Sequence, residues 1–398
     1  MKIKLKTVLY LTYDGLSDPL GQSQILKYLV PLSKTNKLII LSFEKNFKDQ
    51  KIIEIANLLE KHKIKWYRLK YHKYPKIISS FYDILCFFIF FIFLNFRYKI
   101  NITHARSYIP TFVAASIKIF CKYKLIFDMR GFWPDERVDG NIWSKKSLIY
   151  RITKKIEKYL LLKSDVIITL TKNSIKILKK EFYINEKKIF FIPTCVDLDQ
   201  FNLQKNNYDK NNFFTLGYHG SVGTWYEFDK VLLFYKEIRK VINNVKLKII
   251  SQTDKSIIEK YLKKYNLVIN QEEIDYITCN HNEIQNYIKD FDISIFFIKK
   301  CFSKIASCPT KFAESLAMGI PVITGPEIGD IDNYILKNDN IGYVIKDFNS
   351  KEINNAINYI IKIRDYPKTN QKCYEVAKKY FNLKDGVTSY DNLYKTLV

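Results

Sequence analysis

Short apolar runs of strand length alternate with helix-period segments from the first residues onward, and after one polar interruption the pattern starts again. Parallel strands need long crossovers and are buried on both faces, so this alternation implies βα units wound into parallel sheets. The first series of expected strands is Val8–Thr12, Leu38–Phe43, Lys65–Leu69, Ile100–Thr103, Leu125–Asp128, Val166–Leu170 and Ile189–Ile192, with helices such as Gln22–Ser33 and Ser147–Lys163 between them. The polar stretch Asn202–Asn212 (NLQKNNYDKNN) reads as a linker. Beyond it, Phe213–Tyr218, Lys246–Ile250, Ile274–Thr278, Ile293–Phe297, Val322–Thr324 and Tyr343–Ile345 form the second series. The expected class is α/β: two doubly wound domains divided near residue 205, with ligands at the carboxyl ends of strands.

Hydrophobic residues make up 47% of the chain, which excludes intrinsic disorder. The net charge of +25 (65 Lys and Arg against 40 Asp and Glu) invites a nucleic-acid reading. The lysines are scattered, however, with no block longer than a pair, and they come with abundant Asn, Ile, Tyr and Phe. That is the signature of a compositional bias, and a nucleic-acid partner is not expected. Seven cysteines without a CxxC pair suggest reduced thiols and a cytoplasmic protein. The opening MKIKLKTVLYLTYDG lacks the long apolar core and small-residue cleavage site of a signal peptide.

Residues 77–96, IISSFYDILCFFIFFIFLNF, are the most hydrophobic stretch. Ser79, Ser80 and Asp83 interrupt it, and Lys73, Lys76, Arg97 and Lys99 flank both ends without asymmetry. An interfacial or core helix is expected in preference to a spanning one, peripheral to the inner face of the cell membrane and touching an anionic surface without crossing it.

Several motifs follow strands. The first strand enters YDGLSDPLGQSQ, where Gly15 and Gly21 bracket a loop that leads into a helix. The fifth enters FDMRGFWPDERV, where Asp128, Arg130, Asp135, Glu136 and Arg137 crowd what reads as a loop around Trp133. Charged groups beside a flat ring suit a sugar's hydroxyls and CH face. Arg106 and Ser107, after the fourth strand, can reach the same place, while His104 reads as a core histidine. The second domain opens with GYHGSVGTWY, whose Gly220, Ser221 and Gly223 make a turn suited to a diphosphate; the loop lacks the Lys-Ser/Thr ending of a P-loop. In SKIASCPTKFAESLAMGIPVIT, Thr310 caps a helix carrying Lys311 and Glu314, Gly319 ends it and Pro321 blocks its continuation. The positive helix end and Lys311 suit phosphate, and Glu314 suits the vicinal hydroxyls of a ribose. Two DxD patterns, Asp197–Asp199 and Asp290–Asp292, read as turn and cap aspartates, and no metal is expected.

Taken in order, GLSDPLGQSQ, HARSYIP, FDMRGFWPDER, SDVIITLTKNS, FIPTCVDLDQF, GYHGSVGTWY and PTKFAESLAMGIPVIT resemble the retaining GT-B glycosyltransferases of family 4, of bacterial surface-polysaccharide type, over nearly the whole chain. The resemblance implies two Rossmann-like domains facing a central cleft. It places an acceptor-side domain at 1–205, a nucleotide-sugar domain at 206–380 and a helix at 381–398, Asp385–Thr396 in particular, that crosses back to the first domain. It implies that Glu314 is the second glutamate of an E-x7-E pattern and holds the donor ribose; Ala306 stands where the first glutamate belongs. Gly220 and Ser221 match the phosphate loop. Its usual Arg and Lys are replaced by Val222, Thr224 and Trp225, so Lys304 or Lys311 supplies the cation. Asp128-Met129-Arg130 fills the place of a frequent histidine.

The implied reaction is metal-independent hexosyl transfer with retention, and the nucleotide-sugar is a substrate, so no cofactor is expected. A UDP-sugar is the first expectation and a GDP-sugar the second. Asp128, Arg130 and Glu136 are the catalytic candidates. Gly21, Gly220, Ser221, Gly223, Lys304, Thr310, Lys311 and Glu314 are the donor-binding ones. The acceptor is expected to be a glycan, lipid-linked. A sugar-nucleotide epimerase of the same shape and a basic nucleic-acid binder are the competing readings.

Overall fold

The computed structural model describes residues 5–203, 213–270, 272–364 and 368–397. The chain forms two compact units, one of residues 1–192 with 383–398 and one of 193–382.

The first unit is built on a seven-stranded parallel sheet in the order β3-β2-β1-β4-β5-β6-β7. Its strands are β1 (Lys6–Leu11), β2 (Asn36–Glu44), β3 (Lys65–Lys70), β4 (Ile102–Arg106), β5 (Lys124–Asp128), β6 (Val166–Thr169) and β7 (Ile189–Phe191). Leu38 to Leu41 of β2 and all of β6 are buried, as strands with helices on both faces must be. The strand order reverses between β1 and β4, so their carboxyl ends flank a natural ligand position. The final helix, Leu383–Leu397, belongs to this unit and buries Tyr390, Leu393 and Tyr394. Its Tyr390 meets Tyr28 edge to face at 5.5 Å.

The second unit carries six parallel strands in the order β10-β9-β8-β11-β12-β13. They are β8 (Phe214–His219), β9 (Val245–Ile250), β10 (Ile274–Ile277), β11 (Ile293–Phe296), β12 (Val322–Thr324) and β13 (Gly342–Val344). Here the order reverses between β8 and β11. Each unit is a doubly wound Rossmann-like sheet, as the alternation of the sequence predicts.

Several local expectations change. Val196 and Phe201 are buried in the core of the second unit, and the Val196 amide donates to the Phe381 carbonyl at 2.7 Å. Residues 193–203 therefore pack with the second unit, ahead of the expected division near 205. The expected linker 202–212 lies mostly outside the described residues. The expected helix Gln22–Ser33 is composite: Pro19–Gly21, a π-helical segment Gln22–Leu26, then Lys27–Leu32 with Pro31 inside. Proline has no N–H to give, and the wider π turn shifts the ladder before it. The charged stretch after β5 is not all loop, since Trp133–Asp139 is helical with Pro134 in its first turn.

The apolar stretch becomes a helix, Lys76–Tyr98. It is long and apolar enough, by length and composition, to cross a membrane. One face is committed to the first unit: Ser79, Asp83, Phe87, Phe91 and Leu94 are buried, with Phe87 against Phe43 and Phe91 against Tyr123. Asp83 accepts from Tyr13 Oη at 3.1 Å and from the His72 amide at 3.1 Å, and its other oxygen lies 2.6 Å from His72 Nδ1. The other face leaves Ile78, Phe81, Leu85, Ile89, Phe93 and Phe96 exposed.

Candidate functional site

In the second unit β8 is buried along its whole length and delivers His219 and Gly220 to the carboxyl edge of the sheet. Gly220 has φ +119°, and a Cβ there would meet Lys311 Nζ at 2.5 Å. The conformation favours glycine, and the short distance shows how closely the lysine amine lies against the turn. Gly223 follows at φ +91°. The turn is pinned by its own neighbours: the Val222 amide donates to Thr253 Oγ1 at 3.0 Å, Tyr218 Oη to the Ser221 carbonyl at 2.5 Å, and the Lys299 amide to the Trp225 carbonyl at 2.8 Å. It is a preorganised loop at the strand-order reversal.

The helix Thr310–Ala317 stands beside this loop. Pro309, extended at φ −64° and ψ 127°, is its N-cap, and no side chain caps it. Thr310 is therefore the first helical residue and not the expected cap, because the proline has already turned the chain into the helix one residue earlier. The first turn is left with amides that no side-chain cap satisfies, the positive end of the helix dipole. Lys311 is 5% exposed, and its Nζ has no hydrogen-bond partner. That nitrogen lies 4.0 Å from the Tyr226 ring centroid, 5.0 Å from that of Tyr218 and 5.4 Å from that of Phe296. Burial lowers its pKa to about 7, with Glu314 opposing the shift.

One turn on, Glu314 is buried with Oε1 2.9 Å from His281 Nε2 and Oε2 3.3 Å from His219 Nε2. Burial alone would raise its carboxyl, but His219 and His281 overcome that and hold it at about 2. His219, wholly enclosed, is pushed down by burial. Lys304, in the short 3-10 turn Phe302–Ala306, places its Nζ 4.4 Å from the Trp225 ring centroid. Of the two expected cations, Lys311 abuts Gly220 and Lys304 covers Trp225. Ala306, where the first glutamate was expected, is buried.

The first unit gathers a second charged cluster at the ends of β4 and β5. Asp128 is buried, with Arg106 Nη1 3.7 Å from Oδ2 and Arg130 Nη1 3.7 Å from Oδ1. His104 Nε2 lies 3.7 Å from Oδ2, and its Nδ1 is 2.6 Å from Tyr394 Oη. Arg106 Nε is 3.5 Å from Asp14 Oδ2 in the loop after β1. Burial pushes the Asp128 carboxyl up, but Arg130, His104 and Arg106 more than offset it, leaving it below the ordinary value. Ser107 at φ +69° and Arg130 at φ +61° are left-handed without being glycine. Such residues cost about 1–3 kcal/mol each and tend to cluster at functional sites. His104 Nε2, Arg106 Nε and Nη1, and Asp128 Oδ1 are buried without a hydrogen bond. The cluster thus keeps polar capacity unspent.

Other candidates fall elsewhere. Glu136 sits half-buried on the helix Trp133–Asp139. Asp135 is spent on Tyr150 Oη at 2.7 Å and Lys154 Nζ at 2.8 Å. Trp133 is occupied by Tyr108, Trp143 and Arg137, so its ring is part of an internal stack and not an open sugar platform. The open side of Gly21 is filled by the chain itself, because a Cβ there would lie 2.1 Å from the Gly15 carbonyl oxygen. Asp290 pairs with Lys248 at 2.5 Å, Asp292 accepts from the Thr215 amide at 2.7 Å and Asp197 accepts from the Asp199 amide at 3.1 Å, which are turn and edge roles.

Residues 199–380 match the family described as Glycosyl transferases group 1, and residues 55–200 match Glycosyltransferase Family 4. The two matches adjoin and between them span most of the chain. The chain is a GT-B glycosyltransferase. Its fold is that of the sucrose-phosphate synthase from Thermosynechococcus elongatus, with a TM-score of 0.74 and 14% identity over 98% of this chain and 99% of that one. A glycosyltransferase from Rickettsia africae superposes with a TM-score of 0.70 and 17% identity, covering 99% and 98% of the two chains. Anabaena HepE in complex with UDP and glucose does so with a TM-score of 0.68 and 12% identity, covering 98% and 100%. Among curated protein sequences nothing matches.

In this glycosyltransferase the sequence reading missed His281, which comes from the loop after β10 to meet Glu314, and Tyr226, which floors the lysine cage. The available signal was that two of the chain's five histidines lie in the second unit, His219 at the end of an apolar strand and His281 in the loop after another strand.

Proposed function

We propose that this glycosyltransferase binds a nucleoside-diphosphate sugar, a UDP-sugar foremost, in its second unit. It would transfer the sugar with retention to a lipid-linked glycan in surface polysaccharide or lipopolysaccharide synthesis. The observation that carries the reading is the Gly220 turn, set against an uncapped helix whose first turn bears Lys311. Anabaena HepE, captured with UDP and with UDP-glucose, favours the donor class. The lipopolysaccharide outer core galactosyltransferase WaaB, of like fold, favours the acceptor class.

In the transfer, an acceptor hydroxyl attacks the anomeric carbon on the face that the diphosphate leaves. The bond from that carbon to the diphosphate oxygen breaks with its electron pair, and the hydroxyl proton passes to the departing phosphate oxygen. Charge grows on the diphosphate, so the Ser221 and Gly223 amides of the turn and the amides of the Thr310–Ala317 helix stabilise the transition state more than the ground state. Glu314 receives the ribose hydroxyls, and its two imidazole neighbours keep it ionised for that task. Asp128 and Arg130 are assigned to the sugar and acceptor. The exposed face of Lys76–Tyr98 rests in an anionic leaflet, where Asp83 holds the buried face to the body and the flanking Arg97 and Lys99 meet lipid phosphates.

A thermal-shift screen of UDP-, GDP- and dTDP-sugars, followed by product analysis with an extracted lipid-linked acceptor, tests the reading. A raised melting temperature with a UDP-sugar and an α-linked product from an α-linked donor are expected. Stabilisation by none of these donors would sink the donor assignment, and donor turnover without a glycoside would replace transfer by epimerisation.

A further inference from the structure

A buried lysine normally has either a carboxylate or a set of hydrogen bonds, and Lys311 has no hydrogen bond. What surrounds it is aromatic: Tyr218 from the end of β8, Tyr226 from the glycine turn and Phe296 from the end of β11. The nearest carboxylate on its own helix, Glu314, is already engaged by His281 and His219. The amine lies against Gly220, 2.5 Å from where a Cβ would stand. It also sits in the first turn of a helix whose N-terminus no side chain caps. The turn itself, Gly220 to Tyr226, carries no basic residue. An unspent donor, an uncapped helix end and a glycine turn thus converge on one point, and each of them favours an anion.

We propose that Lys311, supplied from the helix and held among three aromatic faces, is the cation for the donor diphosphate. This rests on the donor-site reading above. The rings hold the ammonium by their negative faces but give it no counter-charge, so its charge is incompletely compensated until a phosphate oxygen approaches. Burial holds the amine at about pH 7, against the opposing pull of Glu314, so a fraction is neutral in the ligand-free protein near neutrality. A diphosphate then favours the charged form, and a proton moves from solvent to Nζ without any covalent step.

The experiment titrates wild type, Lys311→Met and Lys311→Arg with UDP and with uridine by calorimetry at pH 7.5, each in two buffers of different ionisation heat. Uridine shares the base and ribose and lacks the diphosphate. Wild type is expected to bind UDP with net proton uptake. Lys311→Met, matched in length and apolar, is expected to lose about 10- to 100-fold in UDP affinity, the worth of one charge-assisted hydrogen bond, with uridine affinity unchanged. Lys311→Arg, charged at every working pH, is expected to bind UDP without proton uptake. An unchanged ratio of UDP to uridine affinity in Lys311→Met overturns the assignment. If that variant does not fold, wild-type proton uptake in Lys311→Arg overturns it equally. Wild type that binds uridine and UDP alike removes Lys311's role while leaving a nucleoside site, whereas wild type that binds none of UDP, GDP and dTDP removes the donor reading itself, and this inference with it.

Discussion

Lys311→Met should make the ligand-free protein more stable, and by an amount that depends on pH. The lysine's ordinary value of 10.5 falls to about 7 on folding. Between those values the unfolded chain binds more protons than the folded one, so wild-type stability rises with pH across that window and is lowest at and below pH 7. At about 1.4 kcal/mol per unit, the full penalty at pH 7 is of order 4–5 kcal/mol. The aromatic cage returns roughly 2 kcal/mol of that as cation–π attraction. Methionine has the length and apolar character to fill the cage, so most of the remainder should appear as a gain of about 2 kcal/mol at pH 7. The gain should shrink by roughly 1.4 kcal/mol for each pH unit above 7. Urea unfolding of both proteins at pH 7, 8 and 9, followed by fluorescence of the second unit, measures it. Other titrating groups cancel in the difference. A methionine variant less stable than wild type at pH 7, or a difference that does not change between pH 7 and 9, would refute the burial argument. The site would then be storing no free energy in an uncompensated amine.

Three further outcomes follow from other contacts. Glu314→Gln should weaken UDP binding at least tenfold, and should also remove acid-sensitive stability: a carboxyl held at about 2 in place of 4.5 contributes up to about 3 kcal/mol above pH 4.5, lost as the pH falls toward 2. Denaturant midpoints at pH 3 and pH 6 test this, and equal sensitivity in the variant would contradict it. Asp128→Asn leaves Arg106 and Arg130 without their shared carboxylate and should cost about 3–5 kcal/mol of stability, together with most of the turnover. Full activity at wild-type stability would mean the cluster is dispensable. Gly21→Ala drives a methyl to 2.1 Å from a backbone oxygen that cannot rotate away, and about 1–3 kcal/mol of destabilisation is expected in a thermal melt. A neutral result would show that the loop around Gly15 yields freely.

Much of the architecture was legible because its causes are local. The run VIITL became the fully buried strand β6, and IFFI became the edge strand β7, which leaves Phe190 exposed. Gly319 was readable as a helix stop, and it takes φ +75° after Thr310–Ala317. The misreadings arose where a neighbour decided. Thr310 lost its capping role to Pro309, and Trp133 was claimed by Trp143 and Tyr108 before any sugar could use it. Val196 and Phe201 joined the second core because that core had room for apolar side chains, which a polar stretch beginning at 202 does not reveal.

The sequence by itself determined the order of strands and helices, the two Rossmann-like units and the glycine turn after β8. Hydrophobic periodicity and glycine's dihedral freedom act within a few residues of the chain. Tertiary structure alone decided which lysine faces that turn, that His219 and His281 converge on Glu314, and that Asp128 sits between two arginines. Those partners come from strand ends far apart in the chain, and the charge each side chain carries depends on burial that only the assembled unit creates.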